Sequence, residues 1–587
     1  MQGWSRTWLR VTWLRVTLAA LLLAPLTLTA APKSSPHPTG SKVSADPLTV
    51  QTDKGPVVGF ADKESTYAWL GIPFAAPPTG ARRWKAPEPA TAWTTARTTQ
   101  AFASGCPQID SNEADGVWGS EDCLYLNVWR PQAASSTPRP VMVWIHGGGN
   151  TTGSADFGMY YGAHFAAQGN VVLVSLQYRL GMLGFVNHPA LATGDPAGDS
   201  GNFGMLDQIR ALEWVRDNAA AFGGDPSKVT VFGESAGGFN TWALIMSERA
   251  DKLFHRAIVE SGCPYFLSKQ TAQGFSQEMV EALVVSDGLA TAEQASAYIT
   301  SMGPAWVKQY LYSKTPEQLL PVLDASNLIR EDIYYNIEDG YMQRPDALGR
   351  LERGDFTGVP TIIGSNRDEM KIFIASYYGM KANKYNQFMT ALYGDNVSTI
   401  ESYYPMAAYG RPFYYNRLSD VLDGFLELQC SPYAAMLSAP HQPTWLYTFR
   451  YDNLKKPYEN VLGACHAAEM PFVFGNFSDA IYPSETLEER TTLSNQMIGH
   501  WSCMAYTGNP SGCAGVPSWS KFETSGVTAY SRMAFDQPSL MEPLPQSDFD
   551  KIELWNTLYG LQLPDTSGIS GLTRLEETPL MSPYRTR

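Results

Sequence analysis

The segment Lys228-Val-Thr-Val-Phe-Gly-Glu-Ser-Ala-Gly-Gly238 most restricts what this chain can fold into. An apolar, β-branched run over residues 229–232 halts at Gly233-Glu-Ser-Ala-Gly237, and a helix-capable run over 239–246 follows. A strand that turns sharply into a helix holds the residue at the bend, Ser235, strained and exposed. Small residues two before and two after it, Gly233 and Gly237, let the backbones cross. Alone, the five-residue pattern is weak in a chain with 50 glycines; the strand before it and the helix after it give it weight. Together they predict a nucleophile elbow centred on Ser235.

Upstream, apolar strands are expected at residues 124–129, 140–145 and 171–177. The last two, with 229–232, are near-continuous apolar runs, as expected of strands covered by helices on both faces. Between residues 177 and 229, Leu206, Ile209, Leu212, Val215 and Ala219 recur at helical spacing before Gly223-Gly-Asp-Pro226 stops the run. Strand, helix and strand make a βαβ unit. The class is therefore α/β, with a mostly parallel, doubly wound sheet carrying helices on both faces. An N-terminal hairpin is expected from residues 48–51 and 56–60, and a Pro-rich loop over 68–84. Further strands fall at 256–260, 359–364 and 444–450, and a long helical stretch at about 270–350. The Tyr-rich segment 376–416 reads as aromatic core in preference to the lining of a gorge.

Composition excludes other classes. With 44% hydrophobic and 17% charged residues the chain can build a large core, and its net charge of -14 disfavours nucleic acid as a partner. Arg6, Arg10 and Arg15 precede an apolar run over 16–26 that ends in small residues near Ala30 and Ala31, the pattern of a removable signal segment. That run is shorter than the roughly 20 residues a spanning helix needs, so no stable membrane insertion is expected after its removal. The expected organisation is a signal peptide at 1–31, a flexible linker at 32–46, one catalytic domain at 47–560 and an extension at 561–587. Its expected location is secreted or periplasmic, where seven cysteines can form disulfides. No cysteine spacing resembles a zinc site.

A serine nucleophile needs a base, an acid behind that base, and donors for an oxyanion. Three histidines, His441, His466 and His500, follow Glu369; His466 lies in the loop Gly463-Ala-Cys-His-Ala-Ala-Glu469, which suits delivery into a cleft. Glu369 closes Gly364-Ser-Asn-Arg-Asp-Glu369 after a strand, where catalytic groups gather in open α/β sheets, with Asp368 as its competitor. Trp144-Ile-His-Gly-Gly-Gly-Asn150 ends a strand in three glycines whose N–H groups can approach a substrate oxygen. With the N–H of Ala236 they would form an oxyanion hole.

These segments, with Trp69-Leu-Gly-Ile-Pro-Phe74, Ser120-Glu-Asp-Cys-Leu-Tyr-Leu-Asn-Val128, Gln177-Tyr-Arg-Leu-Gly181, Gly201-Asn-Phe-Gly-Met-Leu-Asp-Gln208 and Phe222-Gly-Gly-Asp-Pro226, resemble the type-B carboxylesterase (carboxylesterase/cholinesterase) family of α/β-hydrolases, in the same order. The resemblance implies the α/β-hydrolase fold with helical insertions. It implies a serine esterase acting on small-molecule carboxylic esters through an acyl-enzyme on Ser235. His466 would be the base, Glu369 its orienting acid, Gly148, Gly149 and Ala236 the oxyanion donors, and Glu234 a secondary carboxylate. Neither a metal nor an organic cofactor is required by that chemistry.

It further implies ion pairs Arg83–Glu121 and Arg179–Asp207 and a disulfide Cys106–Cys123. Cys430 resembles a cysteine whose family partner lies near the C-terminus, where this chain has Ile552; Cys503 and Cys513 could close a short local loop, and Cys465 reads as a small buried residue. Two positions depart from the pattern: Met370 stands where Gly is usual, and Asn150 where an aromatic is frequent. Both bear on the acyl side of the pocket. A lipase, or a specialist for a secondary-metabolite or toxin ester, is the alternative within the enzymes. A non-catalytic binding protein fits less well, because all three triad positions are filled.

Overall fold

The computed structural model describes residues 46–559 apart from 111, 114–115, 327, 329–333 and 525–529. The signal segment, residues 32–45 of the linker and the extension 561–587 lie outside the described residues.

The centre is an eleven-stranded sheet. In chain order its strands are β1 Phe60–Asp62, β2 Thr66–Pro73, β3 Tyr125–Pro131, β4 Arg139–Ile145, β5 Val172–Leu176, β6 Gly224–Glu234, β7 Arg256–Glu260, β8 Thr361–Asn366, β9 Thr444–Phe449, β10 Ser531–Phe535 and β11 Leu540–Pro543. In space they run β11-β10-β9-β8-β7-β6-β4-β5-β3-β2-β1. From β10 across to β5 every pairing is parallel, while both margins are antiparallel. This is the α/β-hydrolase fold.

Alternation along the strands explains their unbroken apolar runs. Val141, Val143 and Ile145 of β4, Val229 and Val231 of β6, and Ala257 and Val259 of β7 enter one core. Met142, Trp144, Phe232 and Ile258, the residues between them, enter a second core on the other face. Helix α1, Phe203–Asn218, lays Leu206, Ile209, Leu212 and Val215 on the first face, as its 3.6-residue spacing predicts. Helix α2, Ala236–Met246, follows the elbow and is buried along its whole length. Helix α3, Leu487–Thr507, covers the second face with Leu493, Met497, Ile498 and Trp501.

The hairpin forms between Thr49–Gln51 and Pro56–Val58, and Arg97–Thr98 extends it into a separate three-stranded sheet. Residues 68–73, expected as the start of a loop, instead belong to β2. Its register shifts between Trp69 and Ile72, so the strand absorbs Gly71 in a bulge and the loop begins only after Pro73. The stretch 270–350 is not wholly helical either. After helices Lys269–Ser286, Ala295–Tyr312 and Pro316–Ala325, the strand Asn336–Glu338 pairs in parallel with Phe266–Ser268. Tyr385, Tyr393, Tyr404 and Tyr415 bury with Trp555 in a third core, the role expected of the Tyr-rich segment.

Both ion pairs are present. Arg179 donates through Nε and Nη2 to the two oxygens of Asp207, each at 2.7 Å, and its N–H adds a third bond at 3.0 Å. Arg83 grips Glu121 in the same two-pronged way. Because the Arg179 and Asp207 side chains are only 4% and 0% exposed, removing one partner strands a buried charge. Asp207→Ala therefore lowers unfolding free energy by about 3–5 kcal/mol, read from urea denaturation; a loss below about 1 kcal/mol would show the pair is dispensable.

Disulfides join Cys106 to Cys123, Cys503 to Cys513, and Cys263 to Cys430. In the third, Cys430 meets a residue 167 positions upstream, and the family's C-terminal partner is not used. Cys465 is free and buried. Among the described residues no helix is long and apolar enough to cross a membrane.

Candidate active site

β6 ends at Glu234, and Ser235 turns the chain into α2 with φ 56° and ψ -125°, a left-handed conformation forced on a non-glycine residue. Its N–H donates to the carbonyl of Glu260 at the end of β7, at 2.9 Å. The three-glycine run leaves the end of β4 directly beside this bend: a Cβ built on Gly147 would stand 2.9 Å from Ser235 Cβ. Gly148 and Gly149 adopt φ values of 106° and 61°. Among the described residues neither of their N–H groups donates to a protein acceptor.

The residues expected as acid and base arrive from β8 and β9, beyond β7 in the sheet. Glu369 follows β8 and is buried; its Oε1 accepts from Ser261 Oγ and from the N–H of Asn366, both at 2.7 Å. Its Oε2 lies 2.5 Å from His466 Nδ1. The other ring nitrogen, Nε2, stands 3.1 Å from Glu234 Oε1, so the imidazole is set between two carboxylates. Phe373 packs against its face, with ring centroids 5.2 Å apart. Among the described residues Ser235 Oγ makes no hydrogen bond to His466. The structure thus joins Glu369, His466 and Glu234 directly, and places Ser235 next to Glu234 in the chain.

The rival residues are occupied elsewhere. His441 Nε2 lies 3.0 Å from the carbonyl of Glu352. His500 is in the core, its Nδ1 2.8 Å from the carbonyl of Pro510, and burial pushes its pKa down to about 4. His146, before the glycine run, is likewise held neutral by burial and stacks on Tyr178. Asp368 faces Arg367 and Lys371 at 2.6 and 2.9 Å; although burial opposes ionisation, those cations hold its carboxyl below the usual range.

Four residues that sequence reasoning did not single out complete the surroundings: Ser261, Asn366, Glu260 and Glu469. Asn366 donates to both Glu469 Oε2 and the carbonyl of Cys465. Glu260 accepts from Trp501 Nε1 at 2.5 Å. Burial raises the Glu260 carboxyl to about 8 despite that bond, with the neighbouring Glu234 adding to the rise. Burial, then Glu234, Glu369 and Glu260, raise Glu469 well above the carboxylate range. Glu469 sits one turn after His466 in the quoted loop; that spacing was the available signal. Ser261 and Asn366 carried none, being small polar residues at strand ends.

A residue profile described as the carboxylesterase family matches positions 46–548. This chain belongs to the carboxylesterase family. Among similar proteins, the para-nitrobenzyl esterase of Bacillus subtilis (strain 168) is 34% identical over 79% of this chain and 90% of its own length. Fumonisin B1 esterase of Sphingopyxis macrogoltabida is 31% identical over 83% and 87%, and liver carboxylesterase 1F of Rattus norvegicus 33% over 82% and 89%. Of solved structures, a PNB esterase superposes with a TM-score of 0.72 at 30% identity, over 87% of this chain and 99% of that one. A Geobacillus stearothermophilus carboxylesterase gives 0.70 at 28%, over 86% and 100%. The carboxylesterase described here is thus a carboxylic ester hydrolase of small-molecule esters.

The electrostatics of His466 have a consequence for this esterase. Burial alone would lower its pKa, but Glu234 and Glu369 outweigh it and carry the imidazole above its ordinary 6.5. A base must be neutral to accept a proton, so an acid limb of kcat/KM above pH 6.5 is expected if His466 fills that role. Glu234→Gln removes the charge facing Nε2 and should move that limb to lower pH by about one unit or more. A limb that stays in place in the variant would show that Glu234 does not set it.

Proposed function

We propose that this chain is an exported serine esterase working through an acyl-enzyme on Ser235. His466 Nε2 takes the Oγ proton as Oγ attacks the ester carbonyl, and Glu369 holds the imidazolium through Nδ1. The oxygen of the tetrahedral intermediate receives the N–H groups of Gly148, Gly149 and Ala236. Collapse breaks the bond to the alcohol, which leaves with the proton from Nε2. Water, deprotonated by the same nitrogen, then frees the acid and restores Ser235. Approach of the ester draws Nε2 from Glu234 to Ser235 Oγ, a tightening common in sites of this type.

One observation carries the reading: residues following β8 and β9 meet at the end of β6, with His466 locked on Glu369 and its Nε2 3.1 Å from Glu234, the residue before the strained Ser235. Three disulfides support export to an oxidising compartment, secreted or periplasmic. Similarity to a fumonisin B1 esterase favours a toxin-ester specialist as the second reading.

Hydrolysis of p-nitrophenyl esters from acetate to laurate separates these. Preference for short acyl groups supports the general esterase, rising rates on emulsified laurate the lipase, and uniformly slow turnover the specialist. In parallel, a fluorophosphonate should add one adduct per chain, on the peptide holding Ser235. Turnover with the adduct on another residue would remove Ser235 from the mechanism.

A further inference from the structure

Asn150 closes the glycine run, and its side chain bonds to Tyr334 and Asn240. It is wholly buried and pinned on three sides. Its backbone carbonyl accepts from the N–H of Gly181 at 2.6 Å, and its side chain is buried. Its Nδ2 donates to the carbonyl of Tyr334 at 2.8 Å, and its Oδ1 accepts from Asn240 Nδ2 at 2.9 Å. Asn240 is equally buried, in α2 five residues past Ser235, and its Oδ1 in turn lies 3.4 Å from Asn336 Nδ2. A line of amides thus joins the loop, the helix behind the nucleophile and the strand Asn336–Glu338.

The backbone explains why such a tie matters. Gly148, Gly149 and Asn150 have φ values of 106°, 61° and 54°, three left-handed residues in succession. Residues other than glycine, asparagine and aspartate resist that region, and a loop so wound has many looser alternatives open to it. The direction of the Gly148 and Gly149 N–H groups depends on which alternative is occupied. An oxyanion donor stabilises the transition state only when held in place beforehand.

We propose that Asn150, paired with Asn240, is a positioning residue of the oxyanion hole, fixing the glycine run against the nucleophile helix. This rests on the reading of Gly148 and Gly149 as oxyanion donors. It makes the aromatic-to-asparagine departure at position 150 one half of an amide pair whose other half is Asn240.

The test is a cycle of Asn150→Gly, which keeps the left-handed backbone open to the residue, with Asn240→Ala. Each is measured per titrated active site, so that misfolded protein drops out. In both single variants kcat should fall about tenfold with KM within about twofold, and affinity for an alkyl trifluoromethyl ketone, which forms a tetrahedral adduct, should fall by the same factor. The double variant should lose no more than either single one, because the pair acts as a unit. If Asn150→Gly does not fold, Asn240→Ala breaks the same pair from the helix side and gives the same reading.

Wild-type kcat and ketone affinity per site in the variants, or fully additive losses, would overturn the assignment while leaving the esterase intact. A wild-type protein that neither hydrolyses esters nor binds the ketone would overturn the esterase reading itself, and this assignment with it.

Discussion

Ser235→Ala is expected to lower kcat for p-nitrophenyl acetate by roughly a millionfold, with KM little changed, because in the proposed mechanism the nucleophile and its base act as one unit. His466→Gln should cost nearly as much. The double variant should be no slower than either, its residual rate of about 10³-fold over water coming from the oxyanion donors and binding alone. Fold should survive both changes: Ser235 contributes strain, and the α2 helix begins after it. The comparison that decides is between the singles and the double, in steady-state assays on protein checked by circular dichroism. Losses that multiply would mean Ser235 and His466 serve separate steps and would overturn the proposed triad. A Ser235→Ala variant retaining a tenth of the activity would place the nucleophile elsewhere.

Gly237→Ala should unfold the elbow. A Cβ there would fall 2.1 Å from the carbonyl oxygen of Ile145 and 3.0 Å from that of His146, both backbone atoms at the end of β4. No rotamer relieves such a contact. The helix must lift from the sheet, at a cost of about 3 kcal/mol or more, and Ser235 must move with it. A contrasting change lies in the helix Lys269–Ser286, where nothing stands within 4 Å of a Cβ on Gly274. Gly274→Ala should raise stability by about 0.5–1 kcal/mol through helix propensity. Thermal unfolding of both variants against wild type tests the pair. An alanine at 237 that melts like wild type would mean the crossing of α2 and β4 is looser than these distances.

What could be read from the residues followed the strength of local signals. The parallel centre was legible because β4, β5 and β6 are apolar on both faces, and the βαβ unit because α1 carries a clean helical period. β2 was lost to its own Gly71 and Pro73, which look like loop chemistry until the bulge and the pairing with β3 are seen. β10 and β11 went unread because a short strand owes its existence to its neighbours more than to its own sequence. In the site, His466 and Glu369 stood in recognisable settings, whereas Ser261 and Asn366, which hold Glu369, gave no sign. Asn150 was visible as a departure, but its side chain turns to Asn240, a contact that only tertiary packing creates. Cys263 and Cys430 carried no spacing at all, being brought together by two elements far apart in the chain.

The order of strands has a kinetic corollary. β6, β7, β8 and β9 lie side by side, and the chain after each supplies in turn Ser235, Ser261, Glu369 and His466. The contacts that bring Ser261 and His466 to Glu369 span 108 and 97 residues, and they join the ends of different strands. Contacts of such high order are the slow ones in folding, because loop-closure entropy is spent before any of them is made. Recovery of esterase activity on dilution from denaturant would accordingly lag behind recovery of helical signal and report the last pairing of the sheet. A chain released from synthesis short of β9 would lack both His466 and the α3 helix that covers the second face of the sheet.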